Sequence, residues 1–381
     1  MLTKYDDLMC HQAPTTFDHV VSSDRNWVER MWFGTHDKAG KYYFTVGIGL
    51  YPNRNVMDAY ASMTVDNIQH IVRASRELRP AYDKVEVGPF SYEVIEGISK
   101  VRFALSENEH LLSCDIKFEA TMEPYEETHQ FTRTRGRVKE DVARFLQVGK
   151  PSGWIKLRGK TYDVNGKDWV AERDHSWGIR WGAGGGAEVG AVDKGIQPDE
   201  LASGVLYTLA IVQFKDWGFG YHVREDPEGR PWFFSGAIFH PWKSGKQELR
   251  LVSIDHEFEF YPEIRMPRSA RVVLHIADGS EREVFIRGQA PYFLGPNGYF
   301  YYKGFGCGLW KGPSYVDGHQ VDLNDPEVRK ALHILNEQSA EVRCGDDIGY
   351  GTIEMLSYGN YAKYGWGELK DPYYDIDKRA E

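Results

Sequence analysis

Cysteine is scarce in this 381-residue chain: Cys10, Cys114, Cys307 and Cys344 are far apart and form no CxxC pair. That spacing argues against a zinc ribbon and a disulfide-dense scaffold, so the four are expected as reduced thiols, mostly buried. No apolar run approaches the roughly 18 residues of a membrane-spanning helix. The opening MLTKYDDLMC lacks the basic-then-apolar order of a secretory signal. The expectation is a cytoplasmic protein with no transmembrane segment. Charge of one sign never accumulates either: 46 basic and 56 acidic residues give a net charge of -10, and without a basic stripe nucleic acid is not an expected partner. The His, Asp and Glu residues show no metal-ligand spacing. The glycine-rich stretch Gly182 to Gly190 and the GYGTIE run at Gly349 to Glu354 lack the strand–helix frame of a phosphate cradle. Neither a metal nor a cofactor is expected, and the sequence sets no oligomeric state.

Aromatic residues and glycine are abundant, with 11 Trp, 23 Tyr, 19 Phe and 39 Gly. This pairing favours strands and tight turns over helices. From Cys114 to Glu123, Cys114, Ile116, Phe118, Ala120 and Met122 alternate with Asp115, Lys117, Glu119, Thr121 and Glu123, the period of a half-buried strand. Tyr42, Phe44, Val46, Ile48 and Leu50 repeat it, as do Val272, Leu274 and Ile276, then Val284 and Ile286 beyond the turn signal Asp278-Gly279. Asn165-Gly166 and Asn297-Gly298 are further hairpin signals. Asp58 to Leu78 reads as a hairpin turning at Asp66-Asn67, although Val65, Ile68 and Val72 also suit a helix face. One helix is expected after Asp325-Pro326 and a second over Arg137 to Gln147. The fold class is therefore all-β: two antiparallel barrel or sandwich domains with one or two short helices, residues 1–150 and 151–381, meeting near Lys150-Pro151.

The richest segment is Ala171 to Gly182, AERDHSWGIRWG. In an extended strand Asp174, Ser176 and Gly178 point one way, and Arg173, His175, Trp177 and Ile179 the other. The RDHSWG run followed by Arg180 and Trp181 resembles the signature of the hydroxyneurosporene synthase (carotenoid 1,2-hydratase) and AttH-like group. Trp27-Val28-Glu29 with Tyr51-Pro52-Asn53, and the closing Gly349 to Glu354, are similar to the two ends of such proteins. The resemblance implies two lipocalin-like (calycin-type) domains and cofactor-free acid-initiated work on isoprenoid or other polyene chains, by a hydratase, isomerase or cyclase. It also implies roles for His175 and Trp177. The family's downstream Tyr-x-Asp proton donor is missing from the window around Ala202 to Gly204, so the resemblance does not supply the acid.

Protonating an unactivated double bond needs an acid held neutral, as a carboxyl in an apolar pocket is. Asp174 is the first candidate acid, with His175 placing water. Trp177, Trp181 and Tyr221 are candidates to face the cation, and Arg180, Asp216, His222 and His240 are further pocket candidates, with Glu29, Glu354 and Tyr358 behind them. Each has a plainer reading. Asp174 with Arg180 equally describes a buried ion pair, and tryptophans more often fill cores. Two functions stay open: an enzyme on an apolar small molecule, or a carrier that sequesters one.

Overall fold

The computed structural model describes residues 1–7, 9–134, 136–180, 204–299 and 301–367. The first half of the chain forms β1 (Trp27–Asp37), β2 (Tyr42–Tyr51), β3 (Val56–Val65), β4 (Ile68–Glu77), β5 (Glu86–Val87), β6 (Phe90–Glu96), β7 (Lys100–Leu105), β8 (Leu112–Ala120), β9 (Tyr125–Glu126), β10 (Gln130–Thr134), β11 (Arg137–Leu157), β12 (Lys160–Asn165) and β13 (Trp169–Ile179). The second half forms β14 (Gly204–Gln213), β15 (Gly218–Glu225), β16 (Pro231–Phe239), β17 (Leu249–Phe260), β18 (Pro267–Ile276), β19 (Glu281–Phe293), β20 (Ser314–Asp322), α1 (Pro326–Leu332), β21 (Leu335–Cys344) and β22 (Asp347–Gly359).

These strands build two antiparallel sheets. The first runs β20-β4-β3-β2-β1-β13-β11-β8-β7-β6-β5, and the second closes as a barrel, β14-β15-β16-β17-β18-β19-β21-β22, with β22 pairing back to β14. Closure removes the barrel's edges. In the first sheet β20, from the second half of the chain, covers the edge of β4 from Ser314↔Arg76 to Asp322↔Ile68. Each sheet holds its own core, Phe33, Phe44, Phe103 and Phe118 among the first set, Phe219, Tyr221, Val272 and Met355 among the second. A third, smaller apolar cluster including Leu146, Val148, Leu209, Ile211 and Phe239 joins β11 to β14 and β16. The two sheets therefore pack on each other through β2, β11 and β13 on one side and β14, β19 and β22 on the other.

The hairpin at Asp66-Asn67 forms as read, both residues lying at positive φ (51° and 59°) between β3 and β4, the double left-handed geometry in which Asn and Asp are tolerated. Asp278-Gly279 also joins a strand pair, β18 and β19. The helix after Asp325 is α1, with the Asp325 carboxylate accepting from the Glu327 N–H as an N-cap does.

Four expectations need correction. Arg137 to Gln147 is strand, not helix, and it belongs to β11, which continues through Lys150-Pro151 to Leu157. The first sheet takes β1 to β13 and also β20, and the barrel begins at β14. Asn165-Gly166 links β12 and β13, which do not pair with each other; both pair with β11, and the hairpin itself turns at Arg158-Gly159. Asn297-Gly298 ends a short 3₁₀ turn rather than joining two paired strands. Cys114 and Cys307 are buried, Cys344 is partly so, Cys10 is exposed, and all four are free thiols. No described helix is long and apolar enough to cross a membrane.

Candidate active site

Register decides what the sheets put between them. Asp174 on β13 lies opposite Trp32 on β1 and Leu146 on β11; Ser176 lies opposite Arg30 and Arg144. Because side chains alternate along a strand, Arg30, Trp32, Arg144, Leu146 and Asp174 project from one face of the first sheet toward the barrel. Glu337 on β21 and Glu354 on β22, themselves direct partners in that ladder, answer from the other side. With Arg180, Leu209, Ile211, Leu294, Tyr299 and Thr352 these residues line a cavity of about 30 Å³, room for one or two waters at roughly 10–15 Å³ each.

Three guanidinium groups and three carboxyls thus share a small enclosed volume, and they are not evenly matched. Arg144 Nε lies 3.6 Å from Asp174 Oδ2 and Arg144 Nη1 lies 3.5 Å from Glu127 Oε1; the latter carboxylate is held down to about 2 despite burial, by Arg144 and His222. Arg30 Nη1 donates to Tyr51 Oη at 2.7 Å and lies 3.7 Å from Asp58. Arg180 donates to Ser176 Oγ at 2.9 Å, and burial with the nearby Arg144 charge lowers its proton affinity. Glu337 and Glu354 receive less. Burial, first, and then the Glu354 charge push the Glu337 carboxyl well above the usual range, although Tyr43 Oη donates to it. Glu354 is pushed up to about 7 by burial, against the pull of Arg144 and Arg180; Tyr207 Oη donates to it at 3.3 Å. Two like charges so placed cannot both form cheaply, and such a pair retains a proton as a unit.

Behind Glu337 lies a buried polar chain. Tyr43 Oη lies 3.1 Å from Thr352 Oγ1, Thr352 donates to Glu172 Oε2 at 3.4 Å, and Glu172 Oε1 lies 3.4 Å from His36 Nε2. Behind Arg144, Glu127 meets His222 Nδ1 at 3.4 Å, and Arg224 Nε donates to His222 Nε2 at 3.1 Å while holding Glu140 through two 2.8 Å contacts. Burying such groups unpaired costs about 1–3 kcal/mol each. The networks therefore hold the site's walls in place.

The expected site residues divide between the faces. Asp174 and Arg180 line the cavity, but Asp174 is 3.6 Å from Arg144 rather than paired with Arg180, and the wall around it is charged rather than aromatic. His175 lies on the opposite face, 27% exposed, its Nε2 3.0 Å from Glu29 Oε1. It is flanked by Phe145 and by Trp177, which is 40% exposed. Asp174 and His175 are adjacent in sequence and a sheet apart in space. Tyr221 is buried in the barrel core; Asp216 is exposed in the β14–β15 turn, and His240 lies just past β16. His222 meets Glu127 and Arg224 rather than lining the cavity, and Tyr358 is partly buried on β22. Trp181 lies outside the described residues. Sequence reading missed Glu337, Arg30 and Arg144 and ranked Glu354 low. The available signal was a charged residue at an inward position of an otherwise apolar alternation, as in Val142–Arg144–Leu146.

A curled sheet packed against a closed barrel is the fold of the AttH protein from Nitrosomonas europaea, which superposes with a TM-score of 0.52 at 11% identity, covering 90% of this chain and 99% of that one. Less similar are kievitone hydratase from Nectria haematococca (TM-score 0.42, 11% identity, 87% and 89% covered) and CghA with bound Sch210972 (0.47, 9%, 87% and 88%). The likeness to the AttH-like group read from the RDHSWG motif thus holds as a likeness of fold. Residues 2–367 match the sequence profile of a family of unknown function, DUF8625, and the chain belongs to that family. No curated protein matches the sequence.

Proposed function

We propose that this protein is a cofactor-free acid/base enzyme of the hydratase, isomerase or cyclase type, acting on a small molecule admitted between the two sheets. The observation that carries this reading is the opposed pair Glu337 and Glu354 at the cavity, two carboxyls in direct register with Arg144 and Arg180 beside them, both with their proton affinity raised by burial. The carboxylic acid gives its proton to a substrate carbon, and the guanidinium groups stabilise the carboxylate left behind. The proton returns from the substrate itself in an isomerisation or cyclisation, or from the added water in a hydration, so the cycle needs no other reagent. Asp174 is then the partner that fixes Arg144, and not the acid. His175 and Trp177, on the far face of β13, take no part in this step.

The carrier reading has less support, because a cavity of about 30 Å³ walled by charge does not surround an apolar molecule. A larger depression of about 690 Å³ is lined by β17, β18, β19 and β21, with Phe258, Ala270 and Ile286 of the barrel core beside the ion pairs Glu257–Arg271 and Arg287–Glu341. The test is turnover: the protein and its Glu337→Gln and Glu354→Gln variants are incubated with isoprenoids, polyenes and oxygenated polyketide-like compounds, and products are read by mass spectrometry. A product of altered connectivity, or one gaining the mass of a water, that disappears in the variants supports the enzyme. Unchanged ligand recovered from all three proteins would leave the carrier.

A further inference from the structure

The cavity between the sheets holds buried hydrogen-bond donors with nothing to donate to. Arg30 Nη2, Trp32 Nε1 and Arg144 Nε have no hydrogen-bond partner among the described residues. All three residues line the cavity and are 9% exposed or less. The other polar atoms of Arg30 that have partners are Nε, which donates to Tyr299 Oη at 3.3 Å, and Nη1, which donates to Tyr51 Oη. Arg144 Nε, at 3.6 Å from Asp174, is beyond hydrogen-bonding range. The nearby acceptors left unmet, Glu127 Oε1 and Glu172 Oε1, belong to residues that do not line the cavity. Asp174, Glu337 and Glu354 bring carboxyls to the same space, but among the fully buried, unpartnered polar atoms of its lining residues all are donors, two of them cationic.

We infer that the cavity is a head-group subsite for a negatively charged oxygen, a carboxylate or an enolate, of the substrate. The inference deepens the acid/base reading and rests on it for the step that follows binding. Arg30 and Arg144 meet the charge and the Trp32 indole N–H supplies a neutral donor, the composition that favours an oxyanion over an uncharged carbonyl in a desolvated site. A volume of one or two waters admits a planar head of three heavy atoms, with the rest of a larger substrate left outside it. The proton on the Glu337–Glu354 pair then lies beside the atoms conjugated to that head. Reaction there is protonation of an enolate or dienolate carbon: the C–H bond forms, the carboxyl becomes carboxylate, and the enolate electron pair returns as a C=O bond. An anion seated beside the pair also disfavours its ionisation, so binding takes up a proton.

The probe is formate, with formamide as its neutral counterpart, titrated calorimetrically into the full chain near pH 7.5 in two buffers of different ionisation enthalpy. Formate is expected to bind in the millimolar range, at least ten times more tightly than formamide, with proton uptake. Trp32→Phe, with folding verified by thermal unfolding, is expected to weaken formate several-fold. Glu354→Gln is expected to keep formate binding and lose the uptake. Equal binding of formate and formamide, no formate binding, or full affinity in Trp32→Phe would overturn the subsite. Formate binding without proton uptake in the unaltered protein keeps the subsite and removes the acid, so the two claims fail separately.

Discussion

Glu337 and Glu354 are direct partners in the β21–β22 ladder, two acidic residues on the same face of adjacent strands, turned toward the interface. Like charges directly opposed in a sheet are destabilising, and here neither carboxyl has an arginine to itself. Such an arrangement persists because a proton, rather than a cation, neutralises the pair.

The contribution of this pair to stability should therefore fall as pH rises. A carboxyl whose folded-state proton affinity is raised contributes stability fully present below its ordinary range near 4.5 and lost as pH climbs through the folded value, about 7 for Glu354. Denaturant unfolding of the protein and of Glu354→Gln between pH 5 and 8 is expected to show the difference in stability between the two decline, by up to about 3 kcal/mol. Infrared difference spectra should show a protonated carboxyl band at neutral pH that Glu337→Gln reduces. A difference between the two proteins that stays constant across that range, with no such band, would mean that there is no neutral acid.

Arg144 faces two carboxylates, Glu127 and Asp174, so the two sides of the cluster are unequal under mutation. Arg144→Met should cost about 3–5 kcal/mol, because it strands Glu127 in the interior. Asp174→Asn leaves Arg144 its Glu127 partner and should cost about 1 kcal/mol. Urea unfolding of the two variants measures the difference, and equal losses would show that Asp174 is the more important anchor.

How far the sequence exposed this site is visible in β11. Its buried positions Glu140, Val142, Arg144 and Leu146 alternate as in any strand. Two of the four are charged, and they pair with the barrel's Arg224 and with Asp174. Hydropathy therefore did not alternate, and the segment resembled a helix. The same cause hid Glu337 and lowered Glu354: a site made of interface charges looks like surface until a second sheet is placed on it. The all-β class, the Asp66-Asn67 turn and the capped helix were legible because they depend on local periodicity and turn chemistry. The RDHSWG segment was recognised, and its alternation read correctly, yet joining Asp174 with His175 in one mechanism ignored that alternation.

That separation gives a test of its own. Trp177 and His175 lie on the other face of β13, beside Phe145 and Glu29. Trp177→Ala is expected to change stability by no more than about 1 kcal/mol, as for a part-exposed side chain, and to leave the carboxyl infrared band in place. A shift of that band in Trp177→Ala would mean the two faces communicate.

His222 sets the acid limb. Arg224 Nε donates to its Nε2, so that nitrogen is an acceptor and the ring proton sits on Nδ1, toward Glu127. Burial lowers its proton affinity to about 4, although Glu127 pulls the other way. A base depressed in this way contributes stability present above its ordinary value of 6.5 and lost as pH falls through about 4. Nitrogen-15 spectra of the histidine rings should show the Nδ1–H tautomer of His222 persisting below pH 6, where exposed histidines have become doubly protonated. An Nε2–H tautomer, or titration near 6.5, would mean that Arg224 and Glu127 do not hold the ring, and that the wall behind Arg144 is looser than its contacts imply.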